Sequence, residues 1–184
     1  MNLLQGINVY LIGMMGAGKT TVGRSLAQHL GYGFLDTDEV ITKAAGRSIN
    51  EIFAQEGELV FRQLESDVLV EVCAYTKLCI ATGGGIILKQ ENWGKLHHGL
   101  IVWLDVPIDL LYTRLLEDNT RPLLQDPNPK EKLRSLLQQR QNLYAQADLH
   151  IIIGESDNPQ TIAQRIIEKI PSVIKQNIPL PDTN

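Results

Sequence analysis

The sequence predicts an α/β fold built on a parallel β-sheet, and three observations carry the prediction. Short apolar runs alternate along the chain with amphipathic stretches of helical length. Four of the five runs lack strict polar alternation, the pattern of strands covered on both faces. A glycine-rich loop joins the first run to the first helical stretch, where a strand-to-helix turn of such a fold falls.

The strand candidates are Ile7 to Ile12 (INVYLI), Gly33 to Leu35, Leu78 to Thr82 (LCIAT), Leu100 to Asp105 (LIVWLD) and Leu149 to Ile153 (LHIII). Between them the spacing predicts helices over Lys19 to Leu30, stopped by Gly31, and over Asp38 to Ala45, stopped by Gly46. A longer helical pattern runs from Ser48 to about Tyr75. It opens on a Ser48/Glu51 capping box and is broken in two at Gly57. Further helices are expected over Pro107 to Glu117, Pro129 to Gln146 and Pro159 to Ile170. At 184 residues and 43% hydrophobic composition, the chain suffices for one core, so residues 1–170 are expected to form a single domain. Residues 171–184 carry three prolines and no period, and are expected to be a mobile tail.

A formal charge of −4 and a pI near 5.6 give no global basic field, which argues against nucleic acid as the main ligand. Any anion site must be local. The two cysteines, Cys73 and Cys79, have neither CxxC nor metal-ligand spacing and are expected to be reduced core thiols. The segment MNLLQGINVYLIG has no basic leader, and no apolar run reaches membrane-spanning length. The expectation is a soluble, cytoplasmic protein without membrane contact.

The strongest motif is Gly13-Met14-Met15-Gly16-Ala17-Gly18-Lys19-Thr20, which fits G-x-x-x-x-G-K-[ST] at every fixed position and lies between a strand and a helix. Its glycines let backbone N–H groups wrap a phosphate, and the positive end of the helix dipole points to the same spot. Lys19 supplies a charge for the β and γ phosphates, and the Thr20 hydroxyl is a ligand for Mg²⁺. In a parallel sheet ligands sit beyond the carboxyl ends of the strands. There the second run ends in Phe34-Leu35-Asp36-Thr37-Asp38-Glu39-Val40. In extended chain Asp36 and Asp38 face one cleft while Thr37 turns away. The plainer alternative is a helix start, with Thr37 or Asp38 capping and Glu39 favouring the dipole.

Thr82-Gly83-Gly84-Gly85 follows the third strand, and its glycines offer N–H groups that no side chain obstructs. Four arginines stand out: Arg62 in GELVFRQLE, Arg114 and Arg121 around LEDNT, and Arg140 in QQRQNLY. Taken singly, each also fits a solvated surface residue. The polar, proline-bounded segment of about residues 115–129 is long enough to be a mobile lid, and an arginine in it would close over transferring phosphate.

Together GMMGAGKT, DTD, GELVFRQLE, TGGG, NTRPLL and QRQNLY, in this order, resemble the shikimate kinase family over roughly residues 7 to 170. The resemblance implies a three-layer α/β/α P-loop kinase fold with a five-stranded parallel sheet of order 2-3-1-4-5. It implies ATP- and Mg²⁺-dependent phosphorylation of the 3-hydroxyl of shikimate, a step towards chorismate and the aromatic amino acids, by a monomer. Nucleotide contacts then fall on Gly16, Ala17, Gly18, Lys19, Thr20, Thr21, Arg114, Arg121 and, in the least specific match, Pro159. Thr20 and Asp36 serve the metal. Asp38 takes the shikimate hydroxyls, Arg62 and Arg140 its carboxylate, Phe53 and Phe61 its ring, and Gly83, Gly84 and Gly85 cradle substrate and phosphate. Lys19, Asp38 and Arg121 would carry catalysis, and Glu65, one turn after Arg62, would orient the guanidinium. Two rivals remain open: a different small-metabolite or nucleotide kinase, such as a gluconate or adenylate kinase, and a silent relative that only binds.

Overall fold

The structure, a computed structural model, describes residues 4–116 and 126–174. Its strands are β1 (Val9–Ile12), β2 (Gly33–Asp36), β3 (Leu78–Ala81), β4 (Leu100–Asp105) and β5 (Leu149–Ile152). Its helices are α1 (Lys19–Leu30), α2 (Thr37–Ala45), α3 (Ile49–Val72), α4 (Gln90–Leu96), α5 (Ile108–Leu116), α6 (Pro129–Tyr144) and α7 (Pro159–Ile174). The strands form one sheet in the order β2-β3-β1-β4-β5, with every neighbouring pair parallel. The expected α/β class and strand order are both present.

The residue types explain the layers. Every residue of β1 is buried, as are Leu100 to Leu104 of β4, so both faces of the central sheet are covered. The edge strand β5 alternates instead: Leu149 and Ile151 are buried while His150 and Ile152 face out. Because all strands run one way, their carboxyl ends share one edge. There β1 opens into residues 13–18, β2 into Asp36 and α2, and β3 into the triple glycine.

Most predicted elements recur with shifts of one or two residues. Ile7 and Asn8 fall outside β1 because the Asn8 side chain takes over the pairing there: its amide donates to Tyr75 O at 2.9 Å and its oxygen accepts from Leu78 N at 3.0 Å. The Ser48/Glu51 capping box is present. Gly57 breaks α3 with φ 83° and ψ 174°, a conformation open to glycine and costly for other residues.

Three expectations need correction. The helix α4 and a short 3₁₀ turn at Ile86–Leu88 are additional; the seven-residue helix has no capping side chain and too few turns to show a period. Side-chain bonds tie the two together, from Trp93 Nε1 to Ile87 O at 3.0 Å and from Asn92 Nδ2 to Ile86 O at 2.8 Å, and Ile86, Ile87, Trp93 and Leu96 pack into the core. Helix α7 does not stop at Ile170 but continues through Pro171 to Ile174, because Val173 and Ile174 still pack on the core. Residues 171–174 are therefore helical, and the rest of the expected tail lies outside the described residues. Leu115, placed in the expected lid, is a buried residue of α5, while residues 117–125, with Arg121, lie outside the described residues. Both cysteines are free: Cys79 is in the core, whereas Cys73 sits half-buried on its flank beside the Tyr10 hydroxyl, 3.1 Å away.

Candidate active site

The phosphate loop is closed by its own polar groups. Lys19 leads α1 and its Nζ donates back to Gly13 O at 2.9 Å and Met14 O at 2.8 Å. Thr21 Oγ1 donates to Gly18 O, and Ala17 N to Met14 O. Thr20 Oγ1, one residue after Lys19, reaches across to β2 and donates to Asp36 Oδ2 at 2.6 Å. That contact brings together the two oxygen donors expected to serve a metal.

Asp36, not Thr37 or Asp38, caps α2: its Oδ1 accepts from Asp38 N at 3.0 Å. The helix thus begins at Thr37, and the two aspartates share the cleft through a helix start rather than through extended chain. Thr37 does turn away, fully buried, and its Oγ1 accepts from Gly83 N at 3.0 Å. The Gly83 amide is therefore hydrogen-bonded to α2 in this structure.

The glycine loop also provides room. A Cβ on Gly83 would overlap Glu65 Oε1 and come within 2.9 Å of Asp38 Oδ1, and one on Gly85 would overlap the Arg62 guanidinium. The absence of side chains there lets α3 lay Arg62 and Glu65 directly against the loop, beside Asp38.

Arg62 is gripped from its own helix. Its Nη1 donates to Glu65 Oε2 at 2.6 Å, and its Nη2 and Nε donate to Glu58 Oε1 at 3.0 and 3.2 Å. It lies 5.9 and 5.4 Å from the ring centroids of Phe53 and Phe61, which touch each other at 4.6 Å. Burial lowers the pKa of Arg62, but Glu65 and Glu58 outweigh it and hold the guanidinium charged. Burial pushes the Glu65 carboxyl above its ordinary value against the pull of Arg62, and nearby Asp38 adds to the rise. Glu65 Oε1 is buried and has no hydrogen-bond partner among the described residues. From the other side α6 brings Arg140, whose Nη1 donates to Gly84 O at 3.4 Å. Arg62 and Arg140 therefore flank one loop, a paired cation site suited to a carboxylate.

Six of the residues expected to contact nucleotide, Gly16, Ala17, Gly18, Thr21, Arg114 and Pro159, meet in the lining of a cavity of about 170 Å³. Arg114 Nη1 lies 3.4 Å from both Gly16 O and Ala17 O, so α5 presents it to the loop. Pro159 stands at the start of α7 on the same wall. Two residues were missed by sequence reasoning. Asp157 lines this cavity, and its position just before the Asn158-Pro159 helix start was the available signal. Tyr144 donates to Gly84 O at 3.0 Å and lies one helical turn after Arg140, the spacing that shares a helix face.

A five-stranded parallel sheet in this order, with a phosphate loop after its first strand and a paired-arginine cleft at the same edge, defines a P-loop small-molecule kinase. The family model described as "Shikimate kinase" matches residues 15–171. The shikimate kinase of Nostoc punctiforme is 70% identical over 174 residues, 95% of this chain and 96% of that protein. That of Trichormus variabilis is 68% identical over 175 residues, 95% of this chain and 97% of the relative. Among solved structures, the shikimate kinase of Acinetobacter baumannii in complex with shikimate aligns with a TM-score of 0.87 and 43% identity, covering 92% of this chain and 96% of that one. The chain belongs to the shikimate kinase family.

Proposed function

We infer that this protein transfers the γ-phosphate of ATP to the 3-hydroxyl of shikimate, giving shikimate 3-phosphate and ADP. The observation that carries the reading is the pair of arginines, Arg62 and Arg140, flanking the triple-glycine loop beside the phosphate loop. One end of the cleft suits a polyphosphate and the other a small carboxylate with hydroxyls.

The residues divide the work accordingly. Backbone groups of Gly16, Ala17 and Gly18, with Thr21, hold the phosphates, and Arg114 and Pro159 bound the base cavity. Lys19, parked on Gly13 O and Met14 O, shifts its charge to the β and γ phosphates. Thr20 and Asp36 fit Mg²⁺, a hard cation that takes one or two protein oxygens and completes its shell with phosphate and water oxygens. When bound, that ion neutralises charge on the phosphates. Arg62 and Arg140 take the shikimate carboxylate, and Phe53 and Phe61 support the ring. Asp38 orients the attacking hydroxyl and accepts its proton late, because a loose transition state asks for position before base strength. Arg121 closes over the transferring phosphoryl group. The protein acts as a cytoplasmic monomer; among the described residues no helix is long and apolar enough to cross a membrane.

The test is ADP release by purified protein with ATP and Mg²⁺, comparing shikimate with quinate, gluconate, AMP and no acceptor. Release with shikimate alone is the expected outcome. Release with another acceptor moves the substrate assignment, and silence with every acceptor despite ATP binding leaves a non-catalytic member.

A further inference from the structure

The two halves of the cleft meet at one buried phenol. Tyr144, the last residue of α6, is fully buried, and its hydroxyl donates to Gly84 O at 3.0 Å while lying 3.8 Å from Met14 Sδ. Gly84 belongs to the loop between the two arginines, and Met14 to the phosphate loop, whose carbonyl also receives Lys19. Gly84 packs directly on the phosphate loop as well: a Cβ there would lie 3.6 Å from Gly13 O and Met15 N.

The ring itself has little freedom. Trp103 of β4 stacks on Tyr144 at 5.7 Å and 18°, and His150 of β5 stacks on Trp103 at 4.1 Å and 6°. His150 Nε2 is in turn 2.8 Å from Asp105 Oδ2 at the end of β4. Three rings from α6, β4 and β5 thus fix where the hydroxyl points. Burial pushes the Tyr144 pKa up, so the phenol stays a donor at working pH.

We propose that Tyr144 is a positioning residue for phosphoryl transfer: its hydroxyl sets the separation of the phosphate loop from the triple-glycine loop, and with it the approach of the acceptor hydroxyl to the γ-phosphate. The proposal rests on the kinase reading above. Tyr144 is not among the residues assigned to binding either substrate; its hydroxyl also interacts with Arg140, whose guanidinium has further donors for the carboxylate, so its loss acts on alignment more than on the grip. Substrate carboxylate and polyphosphate keep Arg62, Arg140, Lys19 and the loop amides. Gly84 O also keeps Arg140 as a donor, so the isosteric Tyr144→Phe variant leaves no buried carbonyl without a partner.

The experiment compares wild type, Tyr144→Phe and Ile166→Val, a core substitution in α7 that sets a reference for mild destabilisation. Steady-state kinetics with both substrates are combined with calorimetric titration of shikimate, which counts competent sites. Displacement of reacting groups by about 1 Å can cost up to ~10² in rate, so Tyr144→Phe is expected to lower kcat roughly tenfold with both KM values within about threefold. Full binding stoichiometry and a normal kcat for Ile166→Val are expected alongside. A Phe variant with wild-type kcat overturns the proposal, as does a loss of turnover matched by lost binding sites or by Ile166→Val. A wild type without shikimate-dependent turnover overturns the functional reading itself, which separates the two failures.

Discussion

Arg62 shows how much a single side chain depends on its setting. It is 15% exposed, held by two carboxylates of its own helix, and faces a loop with no side chain in its way. Such a guanidinium is already oriented before a carboxylate arrives, so little freedom remains to be lost on binding. Hydrogen bonds to charged groups are worth about 1.5–3 kcal/mol, so Arg62→Ala is expected to raise the KM for shikimate by roughly 10- to 100-fold with a smaller change in kcat. Arg121→Ala is expected to do the reverse, lowering turnover by about 10²–10³, the range for a lost transition-state contact. Steady-state kinetics on both variants check the split. Unchanged turnover for Arg121→Ala would count against its closing over the phosphoryl group.

Among the elements, the turn from β5 to α7 is tied by several side-chain bonds on the wall of the cavity proposed for the nucleotide. Asp157 Oδ2 accepts from Gly154 N and from Arg165 Nη2, both at 2.7 Å, so one oxygen ties the loop to the second turn of α7. Asn158 closes the helix start reciprocally with Thr161, at 2.9 and 3.1 Å. Pro159 then stands fixed on the cavity wall. Losing about 1 kcal/mol of such preorganisation corresponds to about fivefold in affinity, so Asp157→Ala is expected to raise the KM for ATP about fivefold and leave that for shikimate unchanged. A variant with an unchanged KM for ATP would mean that the loop keeps its shape through Asn158 alone.

For the molecule as a whole, the sheet core sets the alkaline limit of stability. Cys79 of β3 is fully buried, and burial pushes its thiol from 9.0 up to about 12. Above the unfolded value the unfolded chain releases this proton and the folded chain keeps it. Stability is therefore complete below that value and declines as pH rises towards the folded one. Burial of Tyr10 and Tyr144 acts in the same direction. One proton contributes a slope of about 1.4 kcal/mol per pH unit, and Cys79→Ala is expected to reduce the alkaline slope by that amount. Urea denaturation at successive pH values above 9 measures it; an unchanged slope in the variant would place the titration elsewhere.

The sequence by itself determined the strand and helix alternation, the phosphate loop, the capping box at Ser48 and the break at Gly57, because each is written in residues close together along the chain. The wording of its motifs also carried the family, and the strand order with it. What only the tertiary structure decided are contacts between distant segments. Thr20 meets Asp36, the Gly83 amide is spent on Thr37, and the glycines make room for Arg62 and Glu65. The continuation of α7 through Pro171 and the existence of α4 are of the same kind, since both rest on packing that overrides weak local preference. Tyr144 is the clearest case: a tyrosine in a helix pattern carries no local sign that Gly84 and Met14, 60 and 130 positions away, converge on its hydroxyl.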